Sequence, residues 1–384
     1  MSGEATDRQG SGPPLRLLRC PPDDRPVTVT VEQPRTRREL TAFLRFADEV
    51  NAERTASWPV LAPMQLPFVS GQGPDAHERE VRPLVAREDG RIAARVVAVD
   101  DAAYRRRWDD GVGHLSLFEA LPGRVEAVRT LMNEACDWLR SRGATAARAG
   151  LGAGPDLPFV VDDYESLPPL PVRHNPPGYH TLLHEAGFGV EKSCLDYVAE
   201  ATPEHVARWE RIVEEARARG FRLVPLGEVA PERRIEDFAR TWNEAFADSW
   251  GMTPTPEEEF EQTFAFAGPR GMDDFSVVAY RDGRPMGVAS CGPTLSGLAR
   301  LAPGRVLAPW EGLRFFGVGV RAQMRGQGLG LALTAQSFLA QYRMGATHLG
   351  YTMVLADNWA SRRTAERLGA RIRATYLIYR RDFR

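Results

Sequence analysis

The chain has 384 residues, a hydrophobic share of 43%, a mean hydropathy of -0.34 and a formal net charge of -2. That length exceeds one ordinary core and predicts two domains of roughly 150 residues each, and no apolar run approaches the roughly 20 residues that cross a bilayer. The charge balance gives no reason to expect nucleic acid as a partner. Four scattered cysteines without a C-x-x-C pair argue against a disulfide framework and a structural zinc site. The start, Met1-Ser2-Gly3-Glu4, carries no apolar signal segment, so no membrane partner is expected and the cytoplasm is the expected compartment.

Residues 1–26 combine Gly, Pro and charge without periodicity and read as a mobile tail. Val27 opens a Val-Thr-Val-Thr-Val strand, and Arg37–Arg54 repeats Leu40, Phe43, Leu44 and Phe46–Ala47 at helical spacing. Strand-like runs follow at Val81–Arg87, Ile92–Val99 and His114–Ala120, the first two joined by the turn Glu88-Asp89-Gly90. Val125–Ser141 is an amphipathic helix closed by Gly143. Seven prolines between Gly150 and Gly178 exclude a helix or a central strand there, and a loop so long is usually functional or poorly ordered. Helix Tyr179–Ala186 and strand Val190–Ala199 complete a first domain spanning residues 27–202. A charged helix, Glu204–Arg219, lies in the connecting segment 203–221.

The second domain, residues 222–384, repeats the plan. A strand (Arg222–Leu226) and two helices (Ile235–Ala247 and Glu257–Phe266) precede a hairpin of Phe275–Arg281 and Pro285–Cys291 about Asp282-Gly283. Then come strand Leu313–Arg321, helix Leu329–Arg343, strand His348–Leu355, helix Ala360–Leu368 and strand Ile372–Arg380. Gly187 and Gly369 each follow a helix and precede a β-run with a tyrosine, Tyr197 or Tyr379, at the same distance. This shared signature and the matching element order predict an internal duplication: two similar α/β domains.

The segment richest in chemistry runs from Phe315 to Gly330. A strand with Val318, Gly319 and Val320 enters a turn, Arg325-Gly326-Gln327-Gly328, which opens a helix at Leu329-Gly330. Glycines where the backbone must curl expose successive N–H groups, and the positive end of the helix makes that turn a site for a diphosphate. The glycine spacing fails the dinucleotide fingerprint G-x-G-x-x-G, and the missing lysine excludes a P-loop. An ordinary glycine-rich strand–helix turn is the competing reading.

Arg325-x-x-Gly328-x-Gly330 after a strand, with Asn358-Trp359-Ala360-Ser361 and Glu366-Arg367-Leu368-Gly369-Ala370 downstream, resembles the cofactor motif of the GCN5-related N-acetyltransferase superfamily. The whole chain resembles bacterial tandem-domain members, on weaker segments such as Trp138-Leu139-Arg140, His174–Tyr179, Trp242-Asn243-Glu244 and Trp250-Gly251. The resemblance implies two domains in tandem, each a twisted mixed sheet flanked by helices. It also implies acetyl-CoA or another acyl-CoA as co-substrate, held by Val318, Gly319, Val320, Arg325, Gly326, Gln327, Gly328, Leu329, Gly330 and Asn358. The first domain has Leu121-Pro122-Gly123-Arg124 in place of the loop, so it is expected not to bind the co-substrate.

The implied reaction moves an acetyl or longer acyl group to an amine of a small molecule or peptide. Glu244, Asp248, Glu311, Glu258 and Glu259 are candidate bases, although each reads more readily as a solvated surface carboxylate and a water chain often suffices. Many relatives offer a tyrosine seven residues after the asparagine to the leaving thiolate; this chain has Ala365 there, leaving Tyr351, Tyr376 or Tyr379 as substitutes. Two alternatives stay open: an aminoacyl-tRNA or acyl-carrier-protein donor, and a non-catalytic acyl-CoA-binding protein. Trp242, Trp250 and Phe264–Phe266 read as acceptor-pocket or core aromatics. His180 and His184 stand four apart without the glutamate of H-E-x-x-H, so no metal is expected.

Overall fold

A computed structural model describes residues 28–73, 76–152 and 157–383. The expected tail, residues 1–26, lies outside the described residues. The first half runs β1 (Val29–Glu32), α1 (Arg37–Val50), β2 (Ala56–Ser57), α2 (Ala62–Val69), β3 (Arg79–Glu88), β4 (Arg91–Asp101), α3 (Ala102–Trp108), β5 (Val112–Ala120), α4 (Val125–Ser141), β6 (Ala146–Ala149), β7 (Phe159–Val160), α5 (Tyr179–Glu185) and β8 (Gly189–Glu200). Helix α6 (Pro203–Ala218) connects to the second half. There follow β9 (Arg222–Pro225), α7 (Pro231–Phe246), α8 (Glu257–Ala267), α9 (Met272–Phe275), β10 (Val277–Arg281), β11 (Arg284–Cys291), β12 (Arg300–Leu301), β13 (Phe316–Val320), α10 (Leu329–Arg343), β14 (His348–Leu355), α11 (Trp359–Arg367) and β15 (Arg371–Asp382).

The two hairpins share one turn: Asp89-Gly90 and Asp282-Gly283 all have positive φ, the conformation of a two-residue hairpin loop. Helix α4 buries Val128, Leu131, Met132, Ala135 and Leu139 along one face, the stripe its sequence spacing predicts. Helix α10 is different. It carries no charge before Arg343 and buries eleven of its fifteen residues, Thr334, Gln336, Ser337 and Gln341 among them, as a helix without a charged face can.

The halves exchange their last strands. One sheet runs β1-β3-β4-β5-β6-β15-β8-β14, and a second runs β13-β11-β10-β9. Strand β15 of the second half thus lies between β6 and β8 of the first, while β8 pairs β14 of the second half. The β8–β15 ladder carries the duplication in its register. Tyr197 faces Ile372 and Tyr379 faces Val190; Leu195 faces Thr375 and Leu377 faces Ser193. The offset that carries Gly187 onto Gly369 converts each of these pairs into its mate, and the local two-fold axis passes through the pair Cys194 and Tyr376.

Under the same symmetry β6 and β7 together take the place that β14 fills alone. In the first half Phe159 and Val160 pair with Leu377 and Tyr376, as Val354 and Leu355 pair with Leu195 and Cys194 in the second. The rings of Phe118, Phe159, Tyr179 and Tyr379 close over this end of the first half, with centroids 5.0 Å apart for Phe118 and Tyr179 and 5.9 Å for Phe159 and Tyr379. The Tyr179 hydroxyl donates to Glu119 at 2.7 Å and accepts from the Ala120 amide at 2.8 Å. Between β5 and α4 stand only Leu121 to Arg124, against Arg321 to Gly328 between β13 and α10. Where the second half has an open gap and a long glycine loop, the first has aromatic packing and a tight turn.

Buried charge ties the exchanged strands: Arg373 of β15 pairs with Asp196 of β8, both almost fully buried. His114 on β5, beside Tyr104, is 1% exposed, and neither ring nitrogen has a hydrogen-bond partner. Burial, then the Arg148 and Arg79 charges, lower its pKa from 6.5 to about 3. The folded chain therefore keeps His114 neutral while the unfolded chain protonates it. Its contribution to stability is complete above about pH 6.5 and is lost as pH falls toward 3. Thermal unfolding followed from pH 7 to pH 4 should show Tm falling with acid, and His114→Leu should flatten that slope. An unchanged slope in the variant assigns the acid sensitivity to other groups.

Candidate functional site

The site begins at a strand edge. β13 bonds β11 on one side, through the odd-numbered residues: the Gly292 amide donates to Phe315 O, and the Arg321 amide to Met286 O. Strand parity turns the N–H and C=O groups of Phe316, Val318 and Val320 the other way, toward β14. No ladder joins β13 to β14. The two meet at one point, where Thr352 Oγ1 accepts from the Phe316 amide at 3.0 Å and donates to Phe316 O at 2.7 Å. Beyond that clasp the strands diverge, leaving Val318 and Val320 with backbone groups facing a cleft of about 660 Å³. Gly319 also lines this cleft, yet its amide points to β11. Its role is steric: a Cβ there would stand 2.7 Å from Phe246 and 2.8 Å from Ala245 on α7.

The cleft runs from this edge to the glycine loop. Gly326 and Gly328 have φ of +78° and +74°, which side chains rarely adopt, and Gly328 caps the N-terminus of α10. Gly330 is another matter. A Cβ there would meet only Val320, at an ordinary 3.9 Å, so nothing in the protein itself requires glycine. A ligand drawn close to the first turn of α10 would. The loop, Leu329 and Gly330 line the cleft at the positive end of a buried helix, the arrangement that binds phosphate. Arg325 lines it too, its guanidinium donating to Ala245 O at 3.2 Å. Gln327 folds back onto Gln323 O, and Arg219 from the end of α6 donates to Gln327 O at 2.7 Å.

The far wall is α11 and β14. Asn358 caps α11, its Oδ1 accepting from the Ser361 amide at 3.1 Å. Arg363 and Arg367 project from α11 along the cleft and form no ion pair among the described residues. Neither was signalled beyond the motif, because an arginine on a helix surface has no distinctive spacing. Tyr351 stands on β14, 3% exposed, with its hydroxyl 2.7 Å from Ser361 Oγ. Burial pushes its pKa up to about 12, against the lowering effect of Ser361, so the phenol stays neutral.

Among the tyrosine candidates only Tyr351 lines the cleft. Tyr376 is hydrogen-bonded to His174 at 2.9 Å and Tyr379 to His180 at 2.7 Å, both on the first half's side of the exchanged sheet. Ala365 lies on α11 itself and is buried. Of the candidate bases, Asp248 lines the cleft, 3.5 Å from Arg107. Glu244 is held outside it by Arg240 and Arg321. Glu311 is buried away from it: burial alone would raise its pKa, but Arg305 and the Ala308 and Leu167 amides outweigh that and hold it low. It straps Leu167 of the first half to the second. Glu258 lies exposed on α8, and Glu259 lines a separate concavity. His180 spends both ring nitrogens on Tyr379 and Val160 O, and no metal-binding cluster occurs among the described residues. Trp250, unlike Trp242 and Phe264 in the core, lines the cleft, with the Arg148 guanidinium 4.3 Å and the Lys192 ammonium 5.1 Å from its ring.

Comparison with known proteins agrees with this geometry. No protein-family model matches the chain. Over 93% of its length the chain superposes on a tandem GNAT protein from the clavulanic acid biosynthesis pathway, with a TM-score of 0.54, 12% identity and 98% of that chain covered. It superposes equally far on a GCN5-related glucosamine N-acetyltransferase region of a fungal multi-domain GH3 beta-N-acetylglucosaminidase, with a TM-score of 0.58 and 15% identity, covering 38% of that chain. The fold is that of the GCN5-related N-acetyltransferases, in tandem. Among curated proteins it is similar to bacterial ceramide synthase of Caulobacter vibrioides, 24% identical over 250 residues, which are 63% of this chain and 64% of that protein. The match thus spans less than two thirds of the relative's own length.

Gly328→Ala forces a side chain into the left-handed region at about 1–2 kcal/mol. It should weaken acetyl-CoA binding about tenfold in isothermal titration, and Gly330→Val should do so without a change in Tm. Unchanged affinity in both would detach the loop from ligand binding.

Proposed function

We propose that the chain is an acyl-CoA-dependent N-acyltransferase, moving an acetyl or longer acyl group to an amine of a small molecule or peptide. The observation that carries this reading is the free edge of β13 running into the glycine loop at the buried N-terminus of α10. An extended pantetheine chain needs backbone partners along its length, and Val318 and Val320 offer them. Two linked phosphates need convergent N–H groups and cations, which Gly326–Gly330, Arg325, Arg363 and Arg367 offer. Acyl-CoA supplies the activated thioester. A carrier-protein donor has no pyrophosphate for that loop, and a tRNA donor would need many more phosphate contacts.

The Val318 N–H is the donor for the carbonyl oxygen as negative charge gathers there; losing one such donor costs roughly 3 kcal/mol in other enzymes. The acceptor amine, with an ordinary pKa near 10.4, must shed a proton before attack, and Asp248 at the rim is the carboxylate placed to take it, directly or through water. Tyr351 protonates the departing sulfur and is resupplied through Ser361, doing from β14 what Ala365 cannot do from α11. The first half contributes the wall: Arg107 and Trp108 hold the loop after α7 by its Ala247 and Met252 carbonyls. The Caulobacter relative is named a ceramide synthase, and a ceramide is an amide, which fits the class of bond.

The reading is tested by mass spectrometry of the native protein for co-purified CoA species, followed by thermal shift with an acyl-CoA series and thiol release across an amine panel. Binding with turnover supports it; binding without thiol release from any amine leaves a non-catalytic acyl-CoA-binding protein. In the active enzyme Tyr351→Phe should lower kcat at least tenfold while KM for the donor stays within about twofold. A fall in affinity with kcat intact would make Tyr351 a packing residue.

A further inference from the structure

A second concavity, of about 500 Å³, opens where the two halves meet. Leu61, Met64 and Phe68 of the α2 segment and Leu170 line it from the first half, and Met252 and Pro254 from the second. Helix α2 explains its character. Ala-Pro-Met-Gln-Leu-Pro-Phe-Val contains no charge, yet only Val69 is buried and Met64 is 54% exposed. Ala62, Leu66 and Val69 pack on the core of the first half, while Met64, Pro67 and Phe68 turn to a cleft of ligand size. The two arginines in the lining are engaged elsewhere, Arg79 with Asp101 at 2.7 Å and Arg173 with Pro59 O at 2.7 Å.

The two clefts adjoin along the chain. Trp250 lines the acyl-CoA cleft and Gly251, the next residue, lines this one. Gly251 has a φ of +79°, and Leu151 of the first half would lie 3.4 Å from any Cβ there. Trp108 fixes the segment by donating to Met252 O at 2.9 Å. At this partition the acyl-CoA side carries Asp248, 74% exposed at its side chain, which attracts a cationic head group. The other side is lined mainly by apolar residues, with Gln65, Glu259 and Gln262 among its polar lining.

We propose that the second cleft holds the alkyl tail of the acceptor, which is a long-chain primary amine whose head passes Trp250 to reach the thioester. The proposal rests on the acyltransferase reading and names the acceptor class for it. The donor's acyl chain is the rival occupant, and it differs in one respect: its tail is joined to the thioester and not to the amine.

The test is isothermal titration of the full-length protein with butylamine, octylamine and dodecylamine, with acetyl-CoA titrated in parallel. A methylene leaving water for the cleft strengthens binding about fourfold, so affinity should climb steeply along the series. Met64→Arg and Gln262→Trp, both at exposed lining positions, should each weaken dodecylamine at least tenfold and leave acetyl-CoA affinity as it was. A flat alkylamine series overturns the proposal. So does a result in which Met64→Arg weakens dodecanoyl-CoA but not dodecylamine, because the tail would then be the donor's. Failure of acetyl-CoA to bind the wild-type protein would instead remove the acyltransferase reading, while the alkylamine series would still report on this cleft.

Discussion

Strands β8 and β15 are each the last strand of their own half and a neighbour of the other half's sheet, and the ladder between them constrains everything else. Because the pairing is antiparallel and symmetric about Cys194 and Tyr376, neither half can close its sheet without the other. The buried Asp196–Arg373 pair sits in that ladder, and a buried pair is costly to leave half-made. The position of β14 follows from its bonds to β8, and with it the width of the gap that β13 leaves. The first half therefore fixes the geometry of the second half's cleft through hydrogen bonds.

Symmetry makes the asymmetry informative. Tyr351 of β14 faces Tyr197 across the ladder, and Ala149 of β6 faces Tyr379 at the matching place. One half keeps a phenol beside an open cleft; the other has a methyl group and fills the space with Phe159 and Tyr179. The same contrast holds at the strand–helix connection, long and glycine-rich in one half and tight in the other. The chain holds two similar frameworks, and only the second leaves the edge of the strand before its loop free and follows it with a glycine-rich turn.

Much of this was legible in the sequence, where the signal is local. Leu329–Arg343 and His348–Leu355 are predicted to the residue, because Gly328 and Gly345 bracket the helix and the strand is a short β-rich run. The loop glycines carried their message for the same reason: a positive φ is a property of one residue. Helix α2 was missed because it has no apolar periodicity and holds two prolines. Strand β7, two residues inside the proline-rich segment, exists only through its pairing with β15. The exchange of last strands was invisible, since no local pattern says which partner a strand will take. Catalytic candidates fared unevenly for a related reason. Asp248, although paired with Arg107, and Tyr351 reach the cleft, while Glu244 and Glu311 are held away from it by arginines; where a paired carboxylate ends up is decided by tertiary contact.

The central claim is that a chain with two similar halves has one working acyl-CoA cleft, built on the free edge of β13. The stoichiometry of acetyl-CoA binding to the full-length protein, measured by isothermal titration, tests it most directly. One molecule per chain is the predicted result; two per chain, or none, would contradict it.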